Sequence, residues 1–119
     1  MTEIQDLLMQ NPIVRFAAVI GPDGKMQKGG MRSGTKSLEP SSKAEQLYLQ
    51  WTTTHRSGND WNKYLGRRRY ILDKRELVDV YTFNLDNEHI LLVSTDPVGN
   101  SSLGDEILEM LNGQKLKKK

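Results

Sequence analysis

The chain has 119 residues and no cysteine, with 36% hydrophobic and 27% charged residues and a formal net charge of +2. That length supports one buried core and is too short for a cleft between two domains, and the missing thiols exclude disulfides, cysteine nucleophiles and cysteine-ligated metal centres. The longest apolar run, Phe16-Ala17-Ala18-Val19-Ile20, falls far below the roughly 20 residues that span a bilayer, so membrane insertion is not expected, and the acidic start lacks a secretory layout, which places the protein in the cytoplasm.

In chain order, Thr2 can cap a short helix with Ile4, Leu7 and Leu8 on one side, stopped at Asn11-Pro12. Residues 13–20 read as a strand apolar on both faces. Gly21-Pro22-Asp23-Gly24 then turns the chain into a second strand, Lys25 to Arg32, weakened at Gly29-Gly30. Ser42-Lys43-Ala44-Glu45 has capping-box spacing, and Ala44, Leu47, Tyr48, Trp51 and His55 continue one helical stripe to a stop at Ser57-Gly58-Asn59-Asp60. Three strands follow, Tyr70 to Leu72, Leu77 to Leu85 and His89 to Thr95, joined by short turns that make them antiparallel neighbours. Ser101 or Ser102 can cap a last helix with Leu103, Ile107, Met110 and Leu111 on one face, ending at Asn112-Gly113. The expected fold is therefore α+β, with one five-stranded antiparallel sheet in the order α-β-β-α-β-β-β-α. The domain occupies residues 1–114, and 115–119 form a lysine-rich disordered tail. The strand at Tyr70–Leu72 is expected at one sheet edge and the Met26–Met31 strand at the other.

This order resembles the roadblock and longin superfamily, with its profilin-like sheet, one long helix on one face and terminal helices on the other. The segment from Val14 to Lys25, an apolar strand followed by Asp23-Gly24, is similar to that family's opening hairpin. A closer resemblance is to small archaeal proteins of unknown function, through Arg15-Phe16-Ala17 to Gly29-Gly30 and Leu65-Gly66 to Arg75-Glu76. The broader resemblance implies a domain that dimerises and serves small GTPases, motors or signalling scaffolds.

Chemistry is sparse. His55 and His89 are the only histidines and have no metal-ligand spacing, and no nucleotide-binding or nucleophile motif occurs, so neither an enzyme nor a cofactor is expected. Asp79, inside Leu77-Val78-Asp79-Val80-Tyr81, is expected on an exposed strand face. Lys63, Arg67, Arg68, Arg69, Lys74 and Arg75, against Asp73 alone, make a segment of net +5 in a chain that carries −2 without its tail lysines. With Trp61, Tyr64 and Tyr70 interleaved, that segment reads as a solvated turn region, as a surface for an acidic protein partner or, as the least favoured reading, as a nucleic-acid contact. Tyr48 and Trp51 belong to the core stripe, or line a small-molecule pocket if a cavity exists. Leu49 lies roughly 140° from Ala44 around the helix. Leu49, Thr53 and Arg56, together with the edge residues Tyr70, Ile71 and Leu72, are expected to form a homodimer interface. The function expected is a non-enzymatic regulatory or scaffolding domain, with a small-molecule sensor and a nucleic-acid binder as alternatives.

Overall fold

The structure, a computed structural model, describes residues 3–86, 88–97 and 102–117. Its elements are α1 (Ile4–Leu8), β1 (Val14–Ile20), β2 (Met26–Met31), α2 (Ser41–Gly58), a 3-10 turn (Asn59–Trp61), α3 (Asn62–Leu65), β3 (Ile71–Lys74), β4 (Asp79–Asn84), β5 (Ile90–Thr95) and α4 (Leu103–Lys117). The strands form one antiparallel sheet in the order β2-β1-β5-β4-β3. The fold class is the one expected, and so are the two edges.

Alternation along the strands sends side chains to two separate cores. On one face Ala17, Tyr81, Phe83, Leu91 and Val93 pack against Ile4 and Leu8 of α1 and against Leu103, Ile107 and Leu111 of α4, whose spacing of four keeps them on one helical side. On the other, Phe16, Ala18, Ile20, Ile90 and Leu92 pack against Tyr48, with Ala44, Leu47 and Trp51 of α2 beside them. Phe16 and Tyr48 stack with ring centroids 5.8 Å apart. Val14 and Phe16 have the same parity yet belong to opposite cores. The register of β1 on β5 shifts between them, and one bulged residue at Arg15 turns the pleat over.

Several local expectations are corrected. The capping box at Ser42 is not formed: α2 begins at Ser41 with extended Pro40 as its N-cap and no side-chain cap bond, so Ser42 is already inside the first turn. The helix does not end the helical path at Gly58 either, because the 3-10 turn and α3 carry it to Leu65, where Gly66 at φ 82° breaks it. Asp73 and Lys74 belong to β3 rather than to a turn, and Tyr70 precedes the strand. The last helix passes Asn112-Gly113 and reaches Lys117, since a glycine costs a helix only about 1 kcal/mol. The proposed caps Thr2 and Ser101, Asn87 of the β4–β5 turn, and Lys118 and Lys119 of the tail lie outside the described residues. No described helix is long and apolar enough to cross a membrane.

Asp79 is the clearest reversal. It is 1% exposed, because β4 lies between β3 and β5 and Asp79 shares the parity of Tyr81 and Phe83. Lys74, opposite it on β3, brings its Nζ to 3.4 Å from Oδ2, so the buried charge is matched by a cation whose stem reaches in from the edge.

Candidate functional site

The six cations of the basic segment do not form one surface. Lys74 and Arg75 sit at the β3–β4 turn, where each meets a carboxylate of its own chain: Lys74 pairs with Asp79, and Arg75 Nε donates to Asp73 Oδ2 at 2.9 Å. Lys63, Arg67, Arg68 and Arg69 gather around α3, at the other end of β3. Arg68 is partly used, since its Nη1 donates to Thr54 O at 3.2 Å and its guanidinium lies across Gly58, where a Cβ would come within 2.5 Å of Nη1. Arg67 and Arg69 line a groove of about 430 Å³ with Asn59, Asn62, Asn84 and Asn112. Beside it stand Trp61 and Tyr64, with ring centroids 6.2 Å apart and the Lys63 ammonium 5.0 Å above the Tyr64 ring.

The asparagines of this groove were not read from the sequence. Asn59 and Asn62, three apart on a helical path beside the arginines, offered a signal. Asn84 and Asn112 come from a strand end and the last helix and meet only through the tertiary fold. Asp86 also lines the groove. It accepts the Glu88 and His89 backbone N–H groups at 2.7 and 2.8 Å and lies 3.0 Å from His89 Nδ1. Burial raises its pKa, but these bonds and the His89 ring outweigh that and hold it below the usual carboxylate value.

His55 extends the α2 stripe into the core and is 1% exposed. Its Nε2 shares a hydrogen bond of 2.6 Å with Thr82 Oγ1 on β4. Burial, and secondly the Arg68 charge, lower its pKa to about 4, so the ring is neutral at neutral pH and works as packing with one polar tie. Among the described residues no group of three or more His, Asp or Glu side chains could hold a metal ion.

A cleft of about 320 Å³ opens where α2 leaves part of the sheet uncovered. Phe16, Tyr48, Trp51, Val80 and Leu92 form its apolar walls, and Arg15, Glu39, Asp73 and Arg75 form its charged margin. These charges are largely spoken for: Arg15 Nη1 lies 3.3 Å from Asp96 Oδ1, and Arg75 holds Asp73. A shallower depression between α2 and β3 includes Leu49, Gln50, Thr53 and Thr54 with Asp73.

The six residues expected at a dimer interface divide among four places. Leu49 and Thr53 are exposed in that depression, Leu49 also abutting Gly24, where a Cβ would lie 2.9 Å from its own. Arg56 turns toward the β1–β2 turn and donates to Pro22 O at 3.3 Å. Ile71, opposite Thr82, faces the α2 layer, while Tyr70 and Leu72 pack against the α1–α4 core. The Tyr70 hydroxyl donates to Asp105 Oδ1 at 3.2 Å, and its ring meets Phe83 at 5.4 Å; its pKa is raised by burial first and by Asp105 second.

No family model and no curated protein sequence matches the chain. Solved structures do. A Roadblock/LC7 domain from Streptomyces avermitilis superposes with a TM-score of 0.64 at 15% identity, covering 91% of this chain and 88% of that one. Myxococcus xanthus MglB gives a TM-score of 0.69 at 10% identity, over 96% and 89% of the two chains. An MglB solved in a tetrameric arrangement gives 0.65 at 18% identity, over 91% and 81%. At these identities the likeness establishes architecture: the chain has the Roadblock/LC7 fold.

Proposed function

We propose that the protein is a non-enzymatic regulatory or scaffolding domain that works as a homodimer and binds a protein partner. The observation that carries this reading is the outermost position of β3, with helix α2 alongside it. An edge strand presents unpaired backbone donors and acceptors, and a second copy related by a two-fold axis can pair with it while the two α2 helices meet over the joined sheet. The other edge is less suited: Gly29 and Gly30 of β2 have φ of 95° and 154°, outside strand geometry. The self-association of an MglB with this fold supports the reading. The sequence resemblance directs the partner toward a small GTPase or another signalling component. Lys63, Arg67, Arg68 and Arg69 give that partner, or the surface that presents it, a negative charge, and Lys74 and Arg75, already paired, contribute less. Sedimentation velocity at micromolar concentration tests the dimer directly: a dimer is expected, weakened by Leu49→Glu combined with Gln50→Glu on the exposed flank of α2, and a monomer at low and high salt rejects it.

The cleft beside Tyr48 and Trp51 favours a second reading, a small-molecule sensor. Its walls are apolar and aromatic, and the Trp51 indole N–H is buried without an acceptor from the chain, so a flat ligand carrying an oxygen acceptor suits it. Screening aromatic acids by thermal shift checks this reading; a positive result abolished by Trp51→Phe supports it, and a uniformly flat screen of such compounds counts against it.

A further inference from the structure

Around α3 the chain exposes what a folded domain usually buries. Trp61, Tyr64 and Leu65 are 60, 69 and 81% exposed, three large apolar side chains within five residues. Scattered apolar residues on a surface need no account, whereas a contiguous set does. Eight of the nine residues from 59 to 67 are exposed, so this turn stands out from the body as a convex knob. Among the described residues, Lys63, Arg67 and Arg69 take part in no ion pair. Carboxylates near this end include Asp60 in the 3-10 turn, Asp86, which is tied to His89, Glu88 beside it in the β4–β5 turn, and Asp105 of α4, which accepts the Tyr70 hydroxyl.

We infer that the α3 knob docks on an anionic lipid bilayer, with Trp61, Tyr64 and Leu65 entering the interface and Lys63, Arg67 and Arg69 meeting the headgroups. This rests on the reading of the cationic end as the surface that faces a negatively charged partner, and it names that surface.

Each part has a counterpart in the bilayer. Trp and Tyr side chains are amphipathic rings that settle at the headgroup level, and leucine goes deeper. Cations attract anionic headgroups within a Debye length. The groove next to the knob sets amide and guanidinium donors beside the Asp86 carboxylate, which already accepts from the Glu88 and His89 N–H groups, so the arginine and asparagine donors remain for a phosphodiester or carboxylate headgroup. A single-stranded nucleic acid would use the two rings and the cations but would leave Leu65 without a role. An acidic protein would have to supply a concave apolar seat for three protruding side chains, whereas a bilayer accepts a convex knob at any point.

The full chain is tested by flotation with vesicles of phosphatidylcholine alone and of phosphatidylcholine mixed with phosphatidylserine, at low and moderate salt, while tryptophan emission is recorded. The expected result is binding to the mixed vesicles only, weakened by salt, with a blue shift that disappears in Trp61→Phe. Arg67→Gln with Arg69→Gln should weaken partitioning by roughly fivefold per cation removed, and Leu65→Ser should weaken it at moderate salt, where the apolar contact dominates. Absence of flotation at low salt overturns the proposal. So does binding that the Arg67→Gln/Arg69→Gln pair leaves unchanged, or binding competed away by oligothymidylate or polyglutamate with no Trp61-dependent shift, which would mark the end as a general polyanion surface. All these side chains are exposed, so the variants keep the fold. Sedimentation of the same samples reports the dimer separately, so failure at the membrane is distinguishable from failure to self-associate.

Discussion

At the scale of single residues, His55 is the group whose chemistry has a measurable consequence. Its folded pKa is about 4 against ~6.5 in an unfolded chain. Between those values the unfolded state binds a proton that the folded state refuses, so stability falls as pH falls. The contribution is fully present above pH ~6.5 and gone below about 4, and its size is on the order of 3 kcal/mol. Denaturant unfolding at pH 7 and pH 4.5 should show this slope in the parent and not in His55→Gln, which keeps a polar group near Thr82; equal slopes would mean that the ring is not buried neutral. Asp86 does not confuse the comparison, because its lowered pKa puts most of its loss below the usual carboxylate value and the same loss is present in the parent and in His55→Gln. The helical spacing from Ala44 through Tyr48 to His55 was enough to place this histidine in the core. Asp79 shows the opposite limit: only the positions of β3 and β5 around β4, and the reach of Lys74, explain how a strand carboxylate is buried, and none of these is local.

At the scale of elements, the β1–β2 hairpin depends on one glycine. Gly29 has φ 95°, and a Cβ there would overlap Ala17 O on the neighbouring strand. Gly29→Ala should therefore cost at least ~2 kcal/mol, from the disfavoured backbone and the displaced strand together. Equilibrium unfolding in urea measures this; a loss under ~0.5 kcal/mol, the range of ordinary surface changes, would show that the hairpin tolerates a side chain at its close approach. The weakness of Gly29-Gly30 was legible, as were all five strands and both long helices, because period-two and period-3.6 patterns are local properties. Helix ends were less legible. Pro40 displaced the Ser42 cap, and Gly58 and Gly113 were passed, because neighbouring helical residues outweigh one poor former. The candidate site suffered most from this, since the 3-10 turn and α3 sit past the expected stop at Gly58, and together they set Trp61, Tyr64 and Leu65 on one knob and separate the Arg67–Arg69 cluster from Lys74 and Arg75.

At the scale of the whole molecule, the sheet keeps two cores apart. Ile20 is fully buried on the α2 side and Ile107 on the α1–α4 side. Ile20→Val and Ile107→Val should each cost about 1 kcal/mol, and because the two sites share no partner the double variant should cost the sum to within ~0.5 kcal/mol. A larger deviation in a double-mutant cycle would reveal strain passing through the sheet. The strand order β2-β1-β5-β4-β3 also bears on how the chain is made. Its central strand is the last strand to be synthesised, so on a ribosome the β1–β2 and β3–β4 hairpins emerge as two unconnected ribbons. Neither core can close until Thr95 has left the exit tunnel, because Leu91 and Val93 belong to one core and Ile90 and Leu92 to the other. Nascent chains stalled before β5 should therefore be open to protease and bound by chaperones, and the protein should gain its shape in one late step rather than ribbon by ribbon.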